Sequence, residues 1–237
     1  MQFFILVILI CLFVFLYCVY LLGRDDFIFL RRDVTMERLF NIIFLGSLLC
    51  LFFARFFYGF FHSKAIFSNP LVFFLFPYYP GLSLLGGVIG AGVFFLFLST
   101  RKEITLPVFR ISDFFSIAFL VSLPLGYLGY FMLSEDNFPI IKAAELSIFY
   151  LIIFAIFLKF LLPKLLSGKL KEGTITFLFL TCFSLISLVS NAFPKFSIDY
   201  FKNLENILLI LIFVLSFGFF VWREGLLLKI EEIKNKK

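Results

Sequence analysis

The 237-residue sequence predicts an all-α fold, a polytopic membrane helical bundle of about seven transmembrane helices with its N-terminus outside and its C-terminus cytoplasmic. Three observations predict it. Hydrophobic residues make up 62% of the chain and charged residues 15%, where an ordinary soluble domain carries about 25% charged residues; the mean hydropathy is +1.10. Apolar stretches of membrane-crossing length recur along the chain. Lysine and arginine are concentrated in alternate connections between them.

The apolar stretches are Phe3 to Leu22, Leu39 to Phe61, Leu82 to Leu98, Ile111 to Leu133, Ile141 to Leu162, Thr174 to Phe193 and Leu204 to Val221. Each approaches the ~20 residues needed to cross a hydrocarbon core about 30 Å thick. Ala65 to Pro80 is also apolar, but Pro70, Pro77 and Pro80 interrupt it. Backbone groups left unpaired by proline need water or protein nearby, so an interfacial or re-entrant piece is expected there. The first stretch has no basic segment before it and no small-residue cleavage site after it, and is expected to stay in the membrane. Cys11, Cys18, Cys50 and Cys182 fall within the predicted spans without a CxxC pair. They read as apolar filler, with neither a disulfide framework nor a metal site implied.

Orientation follows from the basic residues, because short loops rich in them stay in the cytoplasm. Fifteen of the 21 lie in the first, third and fifth connections and the tail, among them Arg24, Arg31, Arg32, Arg38, Arg101, Lys102 and Arg110. The net charge of +6 is this topogenic signal together with attraction to anionic lipid, and implies no nucleic-acid partner. No linker, repeat or domain boundary stands out, so residues 1–237 are expected to form a single transmembrane domain.

Small residues let helices in lipid approach closely. They cluster in GGVIGAG, Gly86 to Gly92, and in GYLG, Gly126 to Gly129, which are expected to pack their two helices on each other. An ionisable group inside a span costs at least ~2.5 kcal/mol on insertion scales and is a functional candidate by default. Arg55 is the strongest. Tyr58 and His62 follow it at i+3 and i+7 on the same helix face, and a guanidinium, a phenol and an imidazole at head-group depth suit a lipid phosphate. The alternative is that Arg55 snorkels to the interface. Asp113 is expected near the start of its helix, where a carboxylate offsets the helix dipole. Glu135 follows the fourth span.

Taken together, these stretches resemble the bacterial prolipoprotein diacylglyceryl transferase family from about Thr35 to Val221. Thr35 to Phe61 is similar to the family's second span, with Arg55 on its arginine. GLSLLGG, Gly81 to Gly87, resembles G-x-S-x-H-G-G. FRISDFFSIAFLVSLPLG, Phe109 to Gly126, resembles the aspartate-bearing lead into the fourth span, with Asp113 on the aspartate. GYLGYFMLSE, Gly126 to Glu135, resembles the signature G-R-x-G-N-F-x-N-x-E. The resemblance implies a seven-span protein of the bacterial plasma (inner) membrane, without a cofactor. It transfers the diacylglyceryl group of phosphatidylglycerol to the lipobox cysteine of prolipoproteins, so the implied partners are that lipid and prolipoprotein signal peptides. Arg55, Tyr58, Ser83, Gly86, Gly87, Asp113, Gly126 and Gly129 are the expected substrate-binding residues, and His62, Tyr127, Tyr130 and Glu135 the expected catalytic ones.

The sequence also departs from the pattern. Leu85 replaces the histidine, Tyr127 the signature arginine, and Tyr130 and Leu133 the two asparagines; Ser187 and Asn191 align with a sixth-span arginine and glutamate. Two readings therefore stay open, a divergent transferase and a phospholipid-binding or scaffolding homologue without catalysis. A small transporter is disfavoured, because no matching pair of broken helices and no buried acidic relay is evident.

Overall fold

The computed structural model describes residues 2–62, 64–67, 70–74, 81–100, 106–133, 140–192, 200 and 202–225, all-helical where regular and without strands among these residues. The chain divides into two compact units, 1–159 and 160–237.

In the first unit α1 spans Gln2–Arg24, α2 Phe27–Arg31, α3 Met36–Phe61, α4 Pro70–Phe74, α5 Leu84–Thr100, α6 Val108–Leu133 and α7 Ile140–Ile156. Thr35 caps α3, its hydroxyl accepting from the Arg38 amide at 3.3 Å, and so satisfies one donor that a helix start leaves open. Among the described residues six helical stretches are long and apolar enough to cross a membrane: Leu6–Arg24, Met36–Phe61, Val108–Gly129, Ala143–Leu166, Thr174–Ala192 and Leu204–Glu224. The predicted third span is the apolar α5, shorter at 17 residues. The proline-broken piece is not a span where it is described. It holds a 3₁₀ turn, Lys64–Phe67, and the five-residue α4; Leu75 to Pro80 lie outside the described residues.

Two antiparallel pairs form the core of this unit. Along α1 and α6, Val7 meets Gly129, Cys11 meets Ser122 and Phe15 meets Phe115. Along α3 and α5, Gly46 meets Phe94, Cys50 meets Gly90 and Phe57 meets Gly86. The two glycine clusters therefore do not pack on each other as expected. A β-carbon on Gly86 would lie 2.6 Å from the Phe53 carbonyl oxygen, and one on Gly129 would lie 2.3 Å from Val7 Cγ1. Each glycine admits a different neighbour, α3 for the first and α1 for the second. Helix α7 joins α6, where the Ser147 hydroxyl donates to the Pro124 carbonyl at 3.3 Å.

The fifth predicted span widens before Pro163. That residue has no N–H to continue the helical ladder, and a π-turn over Phe157–Leu161 precedes it. The division between the units falls inside this turn.

The second unit holds α8, Leu162–Leu166, α9, Thr174–Ala192, and α10, Leu204–Glu224. Its two long helices share hydrogen bonds at several levels: Thr174 Oγ1 to Glu224 Oε1 at 2.6 Å, Thr181 Oγ1 with Ser216 Oγ at 3.0 Å, and Asn191 Nδ2 to Asn206 Oδ1 at 3.0 Å. Polar contacts of this kind hold helices together in lipid, where apolar surface supplies no drive to associate.

Candidate functional site at the α3–α5 end

Arg55 is 3% exposed and points into protein. Its Nη1 donates to the Gly81 carbonyl at 2.8 Å, Nη2 to the Val72 carbonyl at 3.0 Å and Nε to the Phe73 carbonyl at 3.2 Å. Hydrogen bonds to a charged group are worth about 1.5–3 kcal/mol each, so three of them offset an insertion cost of about 2.5–3.5 kcal/mol. Val72 and Phe73 lie in the last turn of α4, whose carbonyls have no intrahelical donor. Arg55 supplies that cap. Among the described residues no carboxylate forms an ion pair with it.

Tyr58 lies on the same face as Arg55. Its ring covers Gly81, where an added β-carbon would come within 2.1 Å of Cε1, and Gly81 has φ +143°. Conformation and space both require glycine there. The His62 imidazole stacks on Tyr58 with centroids 5.1 Å apart and planes 5° from parallel. His62 is exposed and ends α3. Ser83 is buried: its amide donates to the Ala54 carbonyl at 2.9 Å, and its hydroxyl accepts from the Gly86 amide at 3.2 Å, capping α5. Gly87 has ordinary room, with the nearest atom to an added β-carbon 3.8 Å away.

Arg55, Tyr58, His62, Ser83 and Gly86 are thus brought to one end of the α3–α5 pair. Gly126, Gly129 and Tyr127 lie on α6, and their contacts are with other helices. Gly129 receives Val7, a β-carbon added to Gly126 would lie 4.0 Å from Cys11 Sγ, and the Tyr127 ring stacks on Tyr150 of α7 with centroids 5.8 Å apart. Tyr130 is in α6, but its side chain lies outside what is described, as does Glu135 entirely.

Asp113 does not join this group. Helix α6 starts at Val108, so Asp113 falls in its second turn, fully buried, and not at the dipole-exposed start expected for it. It is thirteen residues before Gly126, about 20 Å along the helix. The antiparallel order puts it at the end opposite Arg55. Close by in sequence, Arg110 forms a buried ion pair with Asp26, Nη2 to Oδ2 at 2.6 Å. Arg110 is therefore no exposed topogenic cation.

The carbonyls around Arg55 are backbone groups and leave no residue-type signal in the sequence. The Pro80-Gly81 pair and the three prolines signal a turn there, but not that the Gly81 carbonyl meets residue 55.

No curated protein matches the chain. Residues 1–137 match the family model of prolipoprotein diacylglyceryl transferase, a stretch that stops short of Ser187 and Asn191. With more than half of its length matched and its helices of membrane-crossing length, the chain is a multi-pass membrane protein that belongs to the prolipoprotein diacylglyceryl transferase family.

Proposed function

We propose that the chain resides in a bacterial plasma membrane as one transmembrane domain, N-terminus outside, and binds phosphatidylglycerol at the Arg55 end of α3 and α5 to serve diacylglyceryl transfer to the lipobox cysteine of prolipoproteins. The observation that carries this reading is a buried guanidinium with no carboxylate partner among the described residues. A phosphodiester supplies the missing negative charge, and arginine holds it through paired N–H donors.

In the transfer, the cysteine sulfur forms a bond to the glyceryl carbon, the bond from that carbon to the phosphate oxygen breaks, and glycerol phosphate leaves. A thiol of pKa near 8.5 must first lose its proton. The exposed imidazole of His62, held against Tyr58, is the assigned acceptor. Arg55 steadies the leaving phosphate, with Tyr58 and Ser83 completing the wall. Tyr127, Tyr130 and Glu135 are assigned to the approach of the peptide, and Gly87 and Gly126 to places where its backbone or the lipid comes close; Asp113 holds α6 from the far end.

A second reading, a phospholipid-binding homologue without transfer, is favoured by one observation. Leu85 is 3% exposed at the position of the family's histidine, so no base stands there. The experiment that separates the two is transfer of labelled diacylglycerol from phosphatidylglycerol vesicles to a lipobox peptide by the reconstituted protein. Transfer that disappears in Arg55→Ala supports the first reading; lipid retention without transfer supports the second, and neither transfer nor retention ends both.

A further inference from the structure

Arg55 holds two pieces of chain at once, the last turn of α4 through Val72 and Phe73 and the entry to α5 through Gly81. All three acceptors are neutral carbonyls, and an anionic phosphate oxygen is the stronger acceptor for a guanidinium. Helix α4 is also held by aromatic packing: the Phe73 ring lies 5.5 Å from that of Phe52 on α3 and 6.4 Å from that of Phe67 in the 3₁₀ turn. Gly59 leaves room for Phe67, since an added β-carbon would lie 2.8 Å from its Cζ. The carbonyls of α4 are thus pressed onto the cation by side-chain packing, that of the Phe73 ring on Phe52 and Phe67.

We propose, resting on the phosphatidylglycerol reading above, that these carbonyls are exchangeable ligands: a lipid phosphodiester binds Arg55 by replacing them, so the packing of α4 against α3 sets lipid affinity by competition. This assigns the Phe73 ring, through its packing on α3, as a negative regulator of a site that the residue touches only with its backbone carbonyl. A ligand that binds only a fraction of molecules has its apparent affinity reduced by that fraction. Loosening α4 should therefore tighten lipid binding, the reverse of what damage to a rigid pocket would do.

The test is equilibrium binding of phosphatidylglycerol to the full-length protein in detergent, with phosphatidylcholine and free glycerol phosphate as parallel ligands. Phe73→Ala should tighten phosphatidylglycerol binding by roughly three- to tenfold, and Arg55→Met should abolish the preference over phosphatidylcholine. Phe73→Leu, which keeps most of the volume, guards against misfolding and should fall between wild type and Phe73→Ala. The same gain for free glycerol phosphate also supports exchange and assigns it to the phosphate alone. If wild type prefers phosphatidylglycerol but neither Phe73 variant tightens it, the carbonyls are permanent partners and the exchange is overturned while the lipid reading stands. If wild type shows no preference, the lipid reading fails and the exchange with it.

Discussion

Arg110 and Asp26, separated by 84 positions in sequence, form an ion pair whose side chains are 3% and 0% exposed, with Nη2 2.6 Å and Nε 3.2 Å from the same carboxylate oxygen. The other carboxylate oxygen accepts from the amides of Ile28 and Phe29 at 3.0 and 3.1 Å and so starts α2. Phe29, fully buried, meets Phe114 edge-on, and the Arg110 guanidinium lies over the same Phe114 ring at 5.3 Å. One carboxylate thereby fixes the turn between α1 and α3 to the start of α6.

Breaking this pair from one side leaves a buried charge. Arg110→Met or Asp26→Ala should each cost about 3–5 kcal/mol, whereas the double substitution should cost clearly less than the sum. Thermal unfolding of the four proteins in one detergent measures the coupling. Additive losses would show that the pair does not act as a unit.

The glycines divide by what lies opposite them. Gly86→Ala meets backbone, the Phe53 carbonyl oxygen at 2.6 Å and Ala54 Cα at 3.0 Å, and should cost about 1–3 kcal/mol through overpacking. Gly92→Ala, with nothing within 4 Å, should change stability by less than about 0.5 kcal/mol. Parallel melts of the two variants check the contrast.

Gly129→Ala presses on the side chain of Val7 rather than on backbone. It should be destabilising alone and largely rescued by Val7→Gly in the double variant. Absence of rescue would mean that α1 does not rest on α6 at this level.

Asn206 donates to the Tyr200 carbonyl at 2.9 Å and accepts from Asn191 at 3.0 Å. Asn206→Leu should lower stability by about 0.6–2 kcal/mol, the range for polar contacts between helices in lipid. Asn191→Leu in the same background should add little, because its partner is already gone.

Tyr200 links stability to pH. Its hydroxyl donates to the Leu188 carbonyl at 2.6 Å, and burial pushes the phenol above its ordinary value. A folded-state pKa above the unfolded value means that this contribution is full below about pH 10 and is lost as pH rises through the folded value. Alkaline unfolding should lose that component in Tyr200→Phe.

The helices were legible because apolar runs of spanning length admit few alternatives in a membrane. The shared face of Arg55, Tyr58 and His62 was legible too, since i, i+3 and i+7 place residues together whatever the tertiary context. Partner choice was not. Gly86 and Gly129 announce close approach, but small size does not say which helix approaches. Arg110 counted among loop cations because a topogenic charge and a buried ion-paired one look alike in sequence, and its partner lies far along the chain. Asp113 and Arg55 share one motif set yet stand at opposite ends, because α5 carries the chain away from the Arg55 end before α6 begins.

The hydrogen-bonded ladder of α9 and α10 bears on how the chain is made. Either helix leaving the translocon singly would carry amide and hydroxyl groups into oil without acceptors for all of them. Emerging as a hairpin, the two quench each other's polarity before meeting lipid. Their synthesis as adjacent segments gives the ribosome a cargo that can partition sideways in one step.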